Sequence, residues 1–210
     1  MTGWKPRVGC GINAMELIRH HESGWIEVIC GPMFSGKSEE LIRRLRRAQI
    51  ARLGVAAFKP RLDNRYAQES IASHSSLMIP CMLIDRADEI PALLPPGTEV
   101  VGIDEAQFLG ENLPEICSGL AERGLRVICA GLDMDYRGVP WDPMPRLLAQ
   151  AECVDKMLAI CVVCGNPASR TQRKVTGKGL VLIGAEEAYE ARCRRCHTVD
   201  KGEQTEIFPY

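Results

Sequence analysis

The segment Gly31-Pro32-Met33-Phe34-Ser35-Gly36-Lys37-Ser38 constrains this chain more than any other. It satisfies G-x-x-x-x-G-K-[ST], the phosphate-binding loop. Glycines there let backbone N–H groups curl around a polyphosphate, Lys37 reaches the β- and γ-phosphates, and the Ser38 hydroxyl holds Mg²⁺. The flanks fit one local fold. An apolar run from Trp25 to Cys30 leads in as a buried strand. From Ser38 to Ala51 the chain reads as a helix, with Leu41, Leu45 and Ala48 on one face. The positive end of that helix then faces the phosphates. Strand, loop and helix in this order imply a bound nucleoside triphosphate. They leave open what its phosphate is used for.

The alternation continues downstream. Gly54 to Lys59 reads as a second strand and Met78 to Ile84 as a third, with a short helix near Ala87 to Leu94. Pro95-Pro96-Gly97 marks a turn. Glu99 to Ile103 is a buried strand, Leu113 to Arg123 a helix, Leu125 to Ala130 another buried strand, and Val154 to Ile160 the last. Strands alternating with helices predict an α/β fold whose mostly parallel sheet is covered on both faces. Long apolar runs end near Cys161, where Cys, Arg and Gly take over. The expected organisation is therefore an irregular leader over 1–23, with a short helix around Ala14 to His20. An ATP-binding core over 24–160, a small cysteine-rich domain over 161–200 and a tail over 201–210 follow it.

Composition narrows the partners. A chain of 210 residues suffices for one substantial domain plus a small module. Its net charge of −1 creates no global field favouring nucleic acid or an anionic membrane. No apolar run approaches a membrane span, and the leader has no secretory h-region. The expected setting is cytoplasmic.

Val100-Val101-Gly102-Ile103-Asp104-Glu105 is an apolar strand ending in two carboxylates. Beside a phosphate loop, such a carboxylate assists Mg²⁺ directly or through water, and a second can serve as a base toward a hydroxyl. Side chains alternate along an extended backbone, which allows the two different roles, Asp104 toward the metal and Glu105 toward the substrate. Solvated acids at a strand end are the plainer alternative.

Ten cysteines are present, four of them in two C-x-x-C pairs, Cys161/Cys164 and Cys193/Cys196. Four thiolates at about 2.3 Å suit a structural Zn²⁺ and leave no open position for catalysis. Disulfides in an oxidising setting are the alternative. The C-terminal segment has too little apolar content to fold alone, so a metal would help fix it. His197 reads as a bystander rather than a further ligand. Cys30, Cys81, Cys117, Cys129 and Cys153 read as core thiols. Between the pairs lie Arg170, Arg173, Lys174 and Lys178, then the glycine-flanked apolar stretch Gly179 to Gly184.

These motifs, together with Asp104-Glu105-Ala106-Gln107-Phe108, Ala130-Gly131-Leu132-Asp133, and Gly184 and Tyr189 between the cysteine pairs, resemble the zinc-containing, type II thymidine kinases. The resemblance runs from about Gly24 past Cys196, and Pro32-Met33 within the loop is its most specific element. It implies a RecA-like α/β core with a small zinc lid, a homotetramer, and γ-phosphoryl transfer from ATP to the 5′-hydroxyl of thymidine. Glu105 matches the family's general base. Asp63 and Arg65 match a motif placed near the metal and the transferred phosphate. Met33, Phe108, Leu132, Tyr136 and Trp141 fall where the family packs thymine. Thr171, Leu180, Leu182, Gly184 and Tyr189 fall in its lasso loop over the base. Thymidine triphosphate is implied as a feedback inhibitor. Two features depart from the family: residues 1–23 precede its usual start, and Tyr136 and Trp141 stand where phenylalanines are usual. A nucleic-acid-dependent ATPase with a zinc module is the rival reading. The balanced charge and the lack of aromatics interleaved with the arginines around Cys193–Cys196 count against it.

Overall fold

Apolar and β-branched runs form the strands of a computed structural model that describes residues 23–61, 70–72, 78–175 and 188–199. In the first part of the chain these are β1 (Trp25–Cys30), β2 (Gly54–Pro60), β3 (Ser70–Ala72), β4 (Met78–Pro80), β5 (Met82–Ile84), β6 (Thr98–Ile103), β7 (Arg126–Gly131) and β8 (Cys153–Lys156). The helices are α1 (Lys37–Ile50), the single-turn α2 (Ile90–Leu93), α3 (Leu113–Glu122) and α4 (Met144–Gln150). Six strands pair in parallel in the order β5-β2-β6-β7-β1-β8. This is the expected α/β architecture, consistent with a RecA-like core.

The pleat sorts the strand side chains onto two faces. Ile26, Val28, Cys30, Phe58, Val101, Ile103, Val127 and Cys129 pack with α3 and α4 through Leu113, Cys117, Leu120, Met144 and Leu147. Their neighbours Ile29, Ala57, Val100, Ile128 and Ala130 pack under Leu41, Ile42, Leu45 and Ala48 of α1. Glu27 lies on the α1 side and is 1% exposed. It accepts from Arg44 Nη1 and Arg126 Nε, each at 2.6 Å, and from the Trp25 indole N–H at 2.8 Å. Arg44 also pairs with Glu40 and Asp155, so charge pins α1 to the β8 edge while its leucines pack on the other strands.

Three expected elements are divided, each for a local reason. Met78–Ile84 is two strands: β4 pairs antiparallel with β3, and β5 joins the main sheet. Pro80, which has no N–H to donate, ends the first. The helix near Ala87–Leu94 is a 3₁₀ turn, Ala87–Glu89, followed by α2. Val154–Ile160 breaks at Met157, whose N–H donates to Cys30 O at 2.8 Å and closes β8 against the end of β1. Helix α4 was not anticipated; its flanking Pro143 and Pro145 suit a first helical turn, whose N–H groups lack partners anyway. Cys30, Cys81, Cys117 and Cys129 are buried. Cys153 is not the core thiol expected: it is disulfide-bonded and half-buried, on edge strand β8. No helix among the described residues is long and apolar enough to cross a membrane.

Beyond β8 the chain builds a second unit from β9 (Ala159–Ile160), β10 (Pro167–Ala168), β11 (Arg170–Arg173) and β12 (Tyr189–Arg192). These form two antiparallel ladders, β9 with β10 and β11 with β12. Its buried apolar cluster is Ala159, Cys161, Ala168, Ala191 and Cys193, with Cys196 packed against it.

Candidate active site

The phosphate loop turns at the C-terminal end of β1, where open parallel sheets bind ligands. Gly31 has φ 141°, and a Cβ there would lie 2.3 Å from Met157 O, so only glycine fits. Phe34 and Gly36 also take positive φ, 66° and 82°. Within the loop, Pro32 O accepts from Ser35 Oγ at 2.8 Å and from Lys37 Nζ at 2.7 Å. Lys37 opens α1, so its ammonium and the first-turn N–H groups share one end of the helix.

Asp104 follows β6 and is buried. Ser38 Oγ lies 3.2 and 3.1 Å from its two carboxylate oxygens. A hydroxyl and a carboxylate side by side at the phosphate end suit a hard, oxygen-seeking divalent cation. Glu105 departs from the strand pleat: its backbone is left-handed, φ 49° and ψ 42°. The turn, rather than extended alternation, separates the two acids. Glu105 Oε2 accepts from Gln107 Nε2 at 2.6 Å.

Of the residues expected around a base, Met33, Phe108, Leu132, Tyr136 and Trp141 are all half-buried. Phe108 and Trp141 meet edge to face, ring centroids 5.3 Å apart. The Tyr136 ring is covered by the guanidinium of Arg173 at 4.7 Å, with Arg137 at 5.8 Å. Thr171, buried on β11, accepts from the Met33 N–H at 3.0 Å and so ties the second unit to the phosphate loop. Tyr189, buried on β12, stands opposite Arg173. Asp63, Arg65, Leu180, Leu182 and Gly184 lie outside the described residues, as do residues 1–22 and 200–210.

The sulfurs of Cys161, Cys164, Cys193 and Cys196 all lie within 4.8 Å of one another. Cys164 and Cys193 are 3.6 Å apart. Four thiolates at about 2.3 Å from a tetrahedral ion stand about 3.8 Å apart, so the cluster fits a structural metal site. The Cys193 backbone N–H, helped by those of Val163 and Cys164, holds the Cys161 thiol down to about 6. Neighbouring sulfurs, Cys164 and Cys193 foremost, push Cys196 up to about 12. Such mutual opposition among thiols is relieved when a cation takes all four as thiolates. His197 is outside the cluster, as expected of a non-ligand, but it is no bystander. Its Nε2 is 2.8 Å from Tyr136 O, linking the cysteine module to the loop after β7.

Sequence reasoning missed Gln107, His197 as a linker, and the ion pair of Lys156 with buried Asp133 at 2.6 Å. Gln107 carried a signal in its position, two residues after Glu105. The other two depend on contacts between distant segments.

Fold and site together define a P-loop α/β nucleotide-binding protein carrying a four-cysteine module. A family model described as thymidine kinase matches residues 24–197. A protein named thymidine kinase from Bdellovibrio bacteriovorus is 58% identical over 175 residues, covering 83% of this chain and 86% of the relative. The chain belongs to the thymidine kinase family.

Proposed function

We propose that the chain transfers the γ-phosphoryl group of ATP to the 5′-hydroxyl of thymidine, giving thymidine monophosphate and ADP. The observation that carries this reading is the pairing of Ser38 with Asp104 at the phosphate loop, followed at once by Glu105 on a left-handed turn. Lys37 and the loop N–H groups hold the phosphates. Bound Mg²⁺, at Ser38 and Asp104 directly or through water, supplies neutralisation of charge on the phosphate oxygens. Glu105 takes the 5′-hydroxyl proton as that oxygen bonds to the γ-phosphorus, and the bond to the bridging oxygen of ADP breaks. A base of this kind contributes roughly 10²–10⁴-fold.

Thymine packs among Met33, Phe108, Leu132, Tyr136 and Trp141, where aromatic area and an adaptable thioether suit a methylated ring. Thr171, Leu180, Leu182, Gly184 and Tyr189 close over it, and Asp63 and Arg65 serve the transferred phosphate. Zn²⁺ in the four-cysteine cluster supplies structure. The working form is a cytoplasmic homotetramer, inhibited by thymidine triphosphate.

Labelled ATP incubated with thymidine should yield labelled thymidine monophosphate. ATP hydrolysis driven by single-stranded DNA, with no phosphorylated thymidine, would overturn the reading. Glu105→Gln should keep thymidine binding and lose most turnover; near-normal turnover would remove Glu105 from its role.

A further inference from the structure

Gln107 stands between the Glu105 carboxylate and the end of β7, and it is 3% exposed. Its Oε1 accepts from the Leu132 N–H at 3.0 Å, while its Nε2 donates to Glu105 Oε2 at 2.6 Å. A carboxamide has one accepting end and one donating end, and a backbone N–H only donates. Leu132 therefore sets which way the amide faces, and the NH₂ is left for the carboxylate. The fit is close on the strand side too. A Cβ on Gly131 would lie 2.8 Å from Gln107 Oε1 and 3.0 Å from Met144 Sδ, so the missing side chain at 131 makes room for the amide. On the other side, Glu105 sits on a left-handed backbone that a residue with a side chain takes up only when its surroundings hold it there. The 3₁₀ turn Ala106–Phe108 supplies part of that hold, with the Phe108 N–H donating to Glu105 O at 3.0 Å.

We propose that Gln107 is a positioning residue for the phosphoryl transfer: by donating to Glu105 Oε2 and gripping the Leu132 N–H it holds the Glu105 carboxylate in register with the nucleoside pocket. The proposal rests on the reading of Glu105 as the base. Misplacing a reacting group by about 1 Å can cost about a hundredfold in rate. Gln107→Met, which keeps the volume and loses both hydrogen bonds, should lower kcat by about ten- to a hundredfold with the KM for ATP little changed. Gln107→Glu keeps an acceptor for Leu132 and loses the donor to Glu105. It should be comparably slow at pH 8, and it is the variant to use if the methionine protein unfolds.

The deciding measurement is a double-mutant cycle with Glu105→Gln, scored by single-turnover rates on protein whose folding is checked by thermal melting. If Gln107 acts through the Glu105 carboxylate, its substitution slows the wild-type background and adds nothing further in the Glu105→Gln background. Equal slowing in both backgrounds means a general packing role and overturns the proposal, as does full activity in the Gln107 variants. Near-normal turnover of Glu105→Gln alone would instead remove the base, a failure of the underlying reading that the same cycle reports separately.

Discussion

The parallel-sheet core and the cysteine module are held together by different means. The core sandwiches its sheet between two apolar layers of isoleucine, leucine, valine and phenylalanine, many of them wholly buried. The module's own buried cluster is made of alanines and cysteines. Burying alanine removes little apolar surface from water, so the hydrophobic contribution there is small. Four converging sulfurs take the place of the missing side chains. The consequence is functional. The phosphate loop belongs to the core with its two apolar layers, whereas Thr171 and Tyr189 belong to the cysteine module.

Metal removal tests that division most severely. Structural zinc in small modules contributes about 10–16 kcal/mol of apparent binding free energy, which is also folding free energy. Stripping the metal, or Cys164→Ser, should therefore unfold the module and abolish thymidine binding while ADP binding at the loop persists. Calorimetric titration with each ligand separates the two; joint loss of both would show that the halves fold as one.

A core-side change should do the reverse. Glu27 is a buried carboxylate shared by two arginines, and removing one partner of such a cluster costs about 3–5 kcal/mol. Glu27→Ala should lower the core's melting temperature in metal-loaded and metal-free protein alike. The same residue gives a pH signature. Burial, the largest single influence, pushes the Glu27 carboxyl up, but the hydrogen bond and charge of Arg126, the Trp25 indole and the charge of Arg44 together leave it below its ordinary value. Its stabilisation is thus in place above the ordinary carboxylate range and is lost as pH falls through the lowered value. Glu27→Gln should flatten the acid side of a melting-temperature profile.

The smallest effect probes the tie between the halves. Thr171→Val deletes the acceptor for the Met33 N–H and should cost about 1 kcal/mol. Both halves should stay folded. The expected loss is in coupling: prior thymidine binding should change ATP affinity by severalfold less than in the unaltered protein.

Much of the site was legible because its parts are contiguous. The loop from Gly31 to Ser38 carries its own strand and helix on either side, and Asp104-Glu105 closes an unmistakable apolar run. The cysteine pairs announced themselves by spacing, and their sulfurs do converge. Elsewhere a local pattern misled. Met78 to Ile84 looked like one strand, yet its halves serve different sheets, because pairing partners are chosen across the fold. The prolines flanking Met144 open α4, a helix the sequence pattern did not announce.

Residue type and order determined the α/β class, the phosphate loop, the acidic pair and the four-cysteine set, since each is specified by chemistry and short-range spacing. The tertiary structure decided which of these touch. It brought Asp104 to Ser38, Thr171 to the Met33 N–H, His197 to the Tyr136 carbonyl, and Gln107 between Glu105 and Leu132. Those contacts join segments separated in the chain or depend on one left-handed residue, and packing of the whole sheet sets them where local propensity does not.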